Sequence, residues 1–484
     1  MPATTKSTSR SRGASSLIDH RHIVVKFEDS LQLPRYEDKI EKYPAIADSP
    51  EWKEISGLAP GATFRRIYRV LTPEEINKLS EKAVARSDGR YKPPQFLKNY
   101  LLDLPPRAPV DRVLGVLRDW TDIDRAYPAP QAIDPKVDAS DDTQAKFQWY
   151  LDAAPLGVDA RYAWEQPGGD GAKQEFIDVE QGWMLNHKDL CDAAGVPRAQ
   201  LLGGVSVPFS SPHGTAVLGI ICATDNAFGC VGIACNTPTV GVISHGGFAF
   251  NIPEAIKISA NRLTPGGVIL LEVTLREREA STLLPAEIDP LTFEEIQLAT
   301  ALGHVVVEAA GNGNFPLDTY QDRLRKVPAG QIFNRLNPAQ FLDSGAIMVG
   351  SGWRLDENAR AATPWSRRLD SNYGSRIDCF AWGDSVQTTG TTPTNPLNDY
   401  DSNFNGTSSA AAIVAGAAIS VQGMAQHQAA SGSRLNPAIV RQYLSDPAIN
   451  TPTIQPPVDM VGVMPNLAAI GRQRLELGPP GPDA

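Results

Sequence analysis

The sequence is poor in cysteine, and its few cysteines form no recognisable pattern. Five cysteines are present in 484 residues: Cys191, Cys222, Cys230, Cys235 and Cys379. An odd number in so long a chain argues against a disulfide framework, and the lack of a CxxC pair argues against a zinc site. We therefore expect free thiols buried as small apolar side chains. A single Cys222–Cys230 bridge is the alternative if the protein is exported.

Basic residues are in the minority, because 45 lysines and arginines stand against 55 acidic residues and the net charge is −10. Phosphate binding needs a basic surface, so nucleic acid is not expected as a partner. No apolar run reaches the ~18 residues of a membrane span, and none is expected. The first 17 residues lack the apolar core of a signal peptide. We therefore expect a cytoplasmic protein as synthesised, with secretion by an unconventional route as the alternative.

The N-terminal third has the pattern of a small α+β domain. Residues 1–20 are rich in Ser, Thr and Arg and are predicted to form a disordered tail. Residues 22–27 are β-branched and predict a strand, and Thr72 followed by Pro73 predicts the start of a helix. A further helix over 110–120 and a strand over 124–127 complete a predicted domain over 21–133. The acidic, turn-rich stretch after it predicts a linker over 134–147.

From residue 148 onward, short apolar runs alternate with segments of helical periodicity. Continuous Val, Ile and Leu runs are typical of strands buried on both faces, and their alternation with helices favours a parallel α/β sheet. The predicted strands are 175–178, 239–243, 267–271, 304–307 and 346–349, and helices are predicted over 253–261 and 293–302. This α/β domain is expected to cover 148–473, with a loose tail over 474–484.

Four polar side chains follow or adjoin these predicted elements and together suggest acyl-transfer chemistry. They are Asp178, His213, Asn312 and Ser408. In open α/β sheets, ligands collect at the carboxyl ends of the strands. A serine needs a base, the base needs an orienting carboxylate, and the developing oxyanion needs donors such as an amide and a helix N-terminus. Taken singly, Ser408 is also a common helix N-cap, Asp178 a common turn residue, and Asn312 part of an ordinary Asn-Gly turn.

These motifs resemble those of the subtilases, the subtilisin-like serine proteases. The order Asp178, His213, Ser408 is the subtilisin order. Pro212-His-Gly-Thr-Ala-Val-Leu-Gly219 resembles the family's His motif, Gly406-Thr-Ser-Ser-Ala410 its Ser motif, and Ala309-Ala-Gly-Asn312 its oxyanion segment. Ser371-Asn-Tyr-Gly374 resembles a stretch that the family carries before the serine. The resemblance implies a doubly wound, mostly parallel subtilisin-like sheet after the small α+β domain.

The sequence departs from the family pattern at three places. The family has Asp-Thr-Gly or Asp-Ser-Gly, whereas this chain has Asp178-Val-Glu-Gln-Gly182. We keep Asp178 as the expected triad acid, and Glu180 is the nearest alternative. Ala412 stands where the family has proline. Glu272-Val-Thr274 replaces the family's Ser-Leu-Gly substrate strand, so that Glu272, with Ala310 and Gly311, is expected to contact substrate and to favour a basic side chain.

By this resemblance, the expected function is a serine endopeptidase that acts on protein or peptide substrates through an acyl-enzyme and needs no cofactor for its chemistry. A structural calcium ion is expected at Asp189, Asn226 and Gln148. The alternative is that the loop Thr224–Gly229 closes without a metal ion. The N-terminal domain is expected to be a propeptide that assists folding or inhibits the enzyme, which makes the chain a zymogen. The alternative is a permanent accessory or partner-binding domain.

Two other functions compete with the endopeptidase. A catalytically silent peptide-binding protein on the same fold would fit the altered acid motif and Glu272. An esterase of the α/β-hydrolase type would need a G-x-S-x-G elbow and a different triad order, and the sequence has neither.

Overall fold

The computed structural model describes residues 21–33, 36–87, 90–129, 137–246, 251–276, 282–321, 333–354, 365–429 and 431–478. The predicted tail 1–20, positions 134–136 of the predicted linker and positions 479–484 of the predicted C-terminal tail lie outside the described residues. The chain divides into two compact units, Met1–Asp134 and Pro135–Ala484. Each unit is described by itself below.

Over residues 21–33, 36–87 and 90–129, the first unit contains four strands and four α-helices. In chain order they are β1 (His22–Phe27), α1 (Pro44–Ala47), α2 (Pro50–Leu58), β2 (Thr63–Arg66), α3 (Pro73–Arg86), β3 (Asn99–Asp103), α4 (Val110–Asp119) and β4 (Ile123–Pro128). The strands form an antiparallel sheet in the order β2-β3-β1-β4. The two central strands are therefore the first and third in sequence, as in a split β-α-β arrangement.

Local sequence signals explain the elements that were predicted in this unit. Strand β1 and helix α4 form where expected, and β4 is one residue longer at each end than the predicted strand. Helix α3 begins with a capping box, in which Thr72 accepts from the Glu75 backbone and the Glu75 side chain accepts from the Thr72 backbone. The sheet and helices close one apolar core, in which the Phe27 ring lies 5.5 Å from Phe64 and 6.1 Å from Trp120.

The second unit alternates strands and helices. Its strands are β5 (Glu175–Glu180), β6 (Ala199–Gly203), β7 (Thr239–Ser244), β8 (Val268–Leu271), β9 (Thr274–Arg276), β10 (Leu283–Pro285), β11 (Val305–Ala309), β12 (Ile347–Arg354), β13 (Trp365–Arg367), β14 (Cys379–Trp382), β15 (Val386–Thr392), β16 (Asn395–Phe404), β17 (Thr451–Pro452) and β18 (Val463–Met464). Its helices are α5 (Ala160–Trp164), α6 (Ser211–Cys222), α7 (Ile252–Arg262), α8 (Pro290–Ala301), α9 (Gly406–Gln428), α10 (Pro437–Ser445), α11 (Pro456–Asp459) and α12 (Leu467–Arg474).

A ten-stranded sheet organises this unit. Its order is β17-β18-β14-β12-β11-β8-β5-β7-β6, with β13 paired to β12. The neighbours from β6 to β18 pair in parallel, whereas β13 and β17 pair antiparallel at the margins. The chain runs from β5 to β7 on one side and from β8 to β14 on the other, so the strand order reverses beside β5. This is the doubly wound, mostly parallel α/β sheet that was predicted.

Helix α9 lies in the core of the second unit. Among the described residues it alone is long and apolar enough to cross a membrane, with mean hydropathy 1.4 over its most apolar window, but 94% of that window is buried inside the protein. Small side chains, chiefly Ala and Gly, let it contact α6 and strands β11, β12 and β14. All five cysteines are buried and unpaired, which confirms the expectation of free thiols.

Candidate functional site

The carboxyl ends of the central strands and the starts of two helices bring the predicted polar residues to one edge of the sheet. Glu180 is the last residue of β5, and Glu272 follows β8 directly. His213 is in the first turn of α6, and Ser408 is in the first turn of α9. Asn312 follows β11. This edge adjoins the reversal of strand order, where open α/β sheets bind their ligands.

The carboxylate that contacts His213 is that of Glu180. His213 Nδ1 lies in hydrogen-bond contact with Glu180 Oε1, and the Glu180 side chain is only 5% exposed. Asp178 instead accepts a hydrogen bond of 2.7 Å from Trp183 Nε1. The expectation that Asp178 would orient His213 is therefore wrong at the level of the contact, and the alternative, Glu180, occupies that position.

The length of β5 explains this difference. The strand was predicted to end at Asp178, but it continues to Glu180, and Asp178 stays inside the ladder between Val242 and Leu270. Side chains two residues apart lie on the same face of a strand, about 6.6 Å apart along it. Asp178 therefore lies too far inside the sheet for its carboxylate to contact His213 at the sheet edge. The sequence did contain the signal, because Glu180-Gln-Gly182 keeps the acid-x-Gly spacing of the family and Asp178 does not.

Neighbouring carboxyl groups change the protonation of His213. Burial disfavours the imidazolium, but Glu180, then Glu272 and Asp178, outweigh burial and raise the pKa of His213 to about 9. Burial raises the pKa of Glu180, with the histidine acting against it. The ring also packs edge-on against Phe404, with the centroids 5.2 Å apart. His213 is therefore held between an acid and an aromatic side chain.

The start of α9 provides both the serine and hydrogen-bond donors. The N-cap residue of this helix is Asn405, so Ser408 is not the cap that its type alone would suggest. The Gly406 N–H donates to Gly383, and the Thr407 N–H donates to Asn312 Oδ1 at 2.9 Å. Because the first N–H groups of a helix have no intrahelical partner, the Ser408 N–H is left to point out of the helix end.

Asn312 is fixed with its amide nitrogen beside this helix end. Its Oδ1 accepts from the Thr407 N–H, which fixes the orientation of the side-chain amide. Gly406 has φ +86°, and an added Cβ there would lie 2.9 Å from Asn312 Nδ2. Glycine is thus required at 406 both by the backbone conformation and by the close approach of Asn312.

Asn372, whose motif was noted without a role, clamps the loop that carries Asn312. Its Nδ2 donates to the Ala310 carbonyl at 2.6 Å and to Leu283 at 2.7 Å, and its Oδ1 accepts from the Gly313 and Phe315 N–H groups. The side chain is fully buried. All four hydrogen-bonding positions of its amide are therefore used to shape this loop.

Ala310 and Gly311, which were expected to contact substrate, have their backbone N–H groups engaged within the protein. Ala310 is buried, and its N–H donates to Val349 at 2.9 Å. The Gly311 N–H donates to Thr407 Oγ1 at 3.2 Å. These two N–H groups support the Asn312 loop, and the expected substrate contact of both residues stays a prediction.

Glu272 adds a third buried carboxyl group beside the histidine and the serine. The residue is 9% exposed, and neither carboxyl oxygen has a hydrogen-bond partner of normal geometry. Burial raises the pKa of Glu272 well above its usual range, while His213 and the Ser408 hydroxyl favour its ionised form and act against burial. The expected contact of Glu272 with a basic substrate side chain stays a prediction.

The residues expected to bind calcium are occupied by contacts within the protein. Gln148 Oε1 accepts from the Val231 N–H at 2.8 Å, and Asp189 accepts from the Cys230 N–H at 2.8 Å and from the Tyr400 hydroxyl at 3.2 Å. Asn226 Oδ1 accepts from the Phe228 N–H at 3.3 Å. Burial raises the pKa of Asp189 to about 7. These contacts connect the loop over 224–230 to the rest of the unit, and calcium binding by these side chains stays a prediction.

Comparisons with known proteins identify the family. The model of the subtilase family matches residues 204–463, which is more than half of the chain. The chain belongs to the subtilase family. It is 28% identical to alkaline elastase YaB from Bacillus sp. (strain YaB) over 64% of this chain and 69% of the relative, and 28% identical to subtilisin DY from Bacillus licheniformis over 58% of this chain and 86% of the relative.

A solved structure of proteases from Pseudoalteromonas arctica PAMC 21717 matches with 20% identity and a TM-score of 0.46, over 69% of this chain and 99% of that chain. Family membership gives a subtilisin-like α/β fold and places this subtilase among the serine peptidases, which are hydrolases. The matched stretch includes His213, Asn312 and Ser408 but begins after Glu180. The family model therefore does not cover the carboxylate that contacts His213.

Proposed function

We propose that this subtilase is a serine endopeptidase that cleaves proteins or peptides through Ser408, His213 and Glu180, with Asn312 in the oxyanion hole. The contact between His213 Nδ1 and Glu180 carries this proposal. A carboxylate bound to Nδ1 leaves Nε2 of the imidazole to accept the serine proton, which is the arrangement that serine hydrolysis requires.

The reaction then follows from the chemistry of these groups. Ser408 Oγ attacks the peptide carbonyl carbon, and its proton passes to His213 Nε2. The oxyanion accepts hydrogen bonds from Asn312 Nδ2 and the Ser408 N–H, at the positive end of the α9 dipole. The C–N bond breaks as His213 returns the proton to the amine, which leaves an acyl ester on Ser408. Water, deprotonated by His213, releases the acid and restores the serine.

In this proposal Glu180 takes the role of the aspartate in the family's catalytic triad. Its carboxylate holds one orientation of the ring and stabilises the imidazolium that forms in each proton transfer. Glutamate is one methylene longer than aspartate, and it stands two residues later than the acid expected from sequence. Asp178 lies two residues before Glu180 on β5 and accepts a hydrogen bond from Trp183 Nε1.

The first experiment is labelling by a fluorophosphonate probe, measured as intact mass. We expect one adduct on the wild-type protein and none on Ser408→Ala, because only an activated serine reacts. Ser409→Ala is the matched control, since the Ser409 hydroxyl is buried and donates to the Trp382 and Gly406 carbonyls. Labelling of Ser408→Ala, or labelling lost only in Ser409→Ala, would contradict the proposal.

A catalytically silent peptide-binding protein is the second candidate, and the environment of His213 favours it. A pKa near 9 keeps the imidazole protonated at neutral pH, and a protonated ring cannot accept the serine proton. Labelling at pH 7 and at pH 9.5 separates the two candidates. The endopeptidase labels faster at the higher pH, whereas the silent protein stays unlabelled at both and still binds peptides.

We also propose that the N-terminal unit acts as a propeptide, an intramolecular inhibitor or folding aid for the second unit. Its four-stranded antiparallel sheet packs with helices α2 and α4 around a separate apolar core. A parallel sheet of ten strands has mostly non-local contacts and folds slowly, which gives a folding aid a physical purpose. The cleavage is proposed within 134–147.

Self-processing provides the test of this second proposal. On incubation, wild-type protein should lose roughly the first 140 residues, while Ser408→Ala stays intact. The separated N-terminal unit, added back, should slow hydrolysis of a peptide substrate by the processed protein. A wild-type chain that stays intact while it hydrolyses peptides would instead show a permanent accessory domain.

A further inference from the structure

Three carboxyl groups that no motif singled out converge beside the loop over 224–230. Asp141, Asp142 and Asp225 each place one carboxylate oxygen within 4.8 Å of the oxygens of the other two. Like charges at this separation repel one another, and repulsion is strongest where water is excluded. Such a cluster on an exposed surface would need no explanation, so the burial of its members decides its meaning.

Asp142 is the member that water cannot solvate. It is 3% exposed, and within the part of the chain that the structure describes neither of its carboxylate oxygens has a hydrogen-bond partner of normal geometry. Buried carboxylates ordinarily accept hydrogen bonds or meet a cation, because an isolated buried charge is very costly. The buried carboxylate of Asp142 thus lies beside two other carboxylates, with both of its oxygens able to accept.

Backbone contacts hold the two segments together without using the oxygens of Asp141 or Asp142. The Gln144 N–H donates to the Gly229 carbonyl at 2.6 Å, and the Gly229 N–H donates to Thr143 Oγ1 at 3.1 Å. The Asp138 N–H donates to Asp225 Oδ2 at 3.0 Å. The acids are therefore brought together by a fixed crossing of two chain segments.

We propose that Asp141, Asp142 and Asp225 bind one calcium ion. Calcium takes oxygen ligands at about 2.3–2.6 Å, so two ligands on opposite sides of the ion are up to about 5 Å apart, which matches this cluster. Magnesium, at about 2.0–2.1 Å, demands a tighter group. This ligand set differs from Gln148, Asp189 and Asn226, whose side chains are engaged with the backbone or with Tyr400.

The test compares calcium binding by carboxylate-to-amide variants of the full chain, all in the Ser408→Ala background to prevent self-cleavage. Each protein is treated with EDTA, desalted, and titrated with CaCl2 and separately with MgCl2 by calorimetry. The thermal midpoint is measured with EDTA and with calcium. For the parent we expect one calcium per chain and a midpoint raised by roughly 3–5 °C at calcium ~100 times Kd.

The variants distinguish the two ligand sets. Asp142→Asn should abolish calcium binding and the midpoint shift, and with EDTA it should melt no lower than the parent because a buried charge has been removed. Asp141→Asn, at an exposed position that cannot prevent folding, should weaken calcium binding at least tenfold. Asp189→Asn should melt lower in both conditions but keep one calcium. Glu294→Gln, on the exposed face of α8, is the matched control and should behave like the parent.

Three results would overturn the proposal. The parent could bind no calcium, Asp142→Asn and Asp141→Asn could bind it as the parent does, or magnesium could bind as tightly as calcium. If Asp189→Asn alone loses calcium, the ion is bound by the residues expected from the family resemblance instead. None of these measurements depends on peptidase activity.

Discussion

Replacing each of the two carboxylates on β5 by its amide, one at a time, gives the sharpest test of the site. Glu180→Gln and Asp178→Asn make the same chemical change two residues apart on the same face of one strand. Glu180 contacts His213, whereas Asp178 contacts Trp183. We expect the first variant to lose most of its peptidase activity and the second to keep most of it.

The size of the loss follows from the burial of Glu180. Removing one partner of a buried charged pair costs about 3–5 kcal/mol, and about 1.4 kcal/mol corresponds to a factor of ten in rate. Because the imidazolium forms in the transition state, kcat/KM should fall by about 10²–10⁴ in Glu180→Gln, mainly through kcat. Asp178→Asn, which can still accept from Trp183, should stay within about tenfold of wild type.

The assay is the pH profile of kcat/KM on a chromogenic peptide, with circular dichroism and thermal melting to show that each variant is folded. Glu180→Asp keeps the charge but withdraws it by one methylene, so its activity should lie between those of wild type and Glu180→Gln. In Glu180→Gln the apparent pKa of His213 should also fall. Because the His213 side chain is 41% exposed, water screens part of this effect. Asp178→Asn losing as much activity as Glu180→Gln would refute the assignment.

Four further outcomes follow from the same site. Because the pKa of His213 is raised to about 9, kcat/KM should rise with pH up to that value. Protonated His213 also stabilises the folded protein. By linkage, this stabilisation is complete below pH 6.5 and is lost as the pH rises toward 9, so thermal midpoints should fall over the same range. Glu272→Gln removes an acid that favours the imidazolium, so the rise in kcat/KM should shift to lower pH. Gly406→Ala should resemble Asn312→Ala, with kcat lower by about 10²–10³ and KM little changed, because the new Cβ displaces the amide. Asn372→Ala leaves several buried backbone groups unpaired and should lower the free energy of unfolding by about 2–4 kcal/mol in urea titrations.

Periodicity located five strands of the parallel sheet, β5, β7, β8, β11 and β12, because each contains a short apolar run that is buried on both faces. It did not find the parallel strands β6, β14 and β18. Periodicity could not locate the end of β5, because Asp178 is a charged residue inside the strand and a charged residue after an apolar run predicts the end of a buried strand. Only tertiary burial, with a partner in Trp183, makes that residue compatible with the ladder. The spacing of Glu180 to Gly182 was the better guide, because it reflects the turn after the strand.

Other elements had no local signal at all. Hairpin β15–β16 is rich in Thr, Asn and Asp, and it forms because it pairs with itself and packs on α6, where Thr388 and Thr389 donate to the Ala216 and Thr215 carbonyls at 2.6 Å. Its last residue, Phe404, then lies against His213. The roles of Asn372 and of the three acids around Asp142 likewise depend on residues far apart in sequence, so composition and spacing could not reveal them.

The buried thiols give this protein a built-in reporter of its own opening. All five cysteines are unpaired and shielded from water, so a thiol-reactive dye can reach them only when the surrounding structure opens. Burial also keeps their pKa values above the ordinary range, which leaves little reactive thiolate. Cys230 lies in the loop over 224–230, whereas Cys379 lies in the central sheet. The rates at which these two sites react would therefore separate local opening of that loop from unfolding of the whole sheet, without any added label.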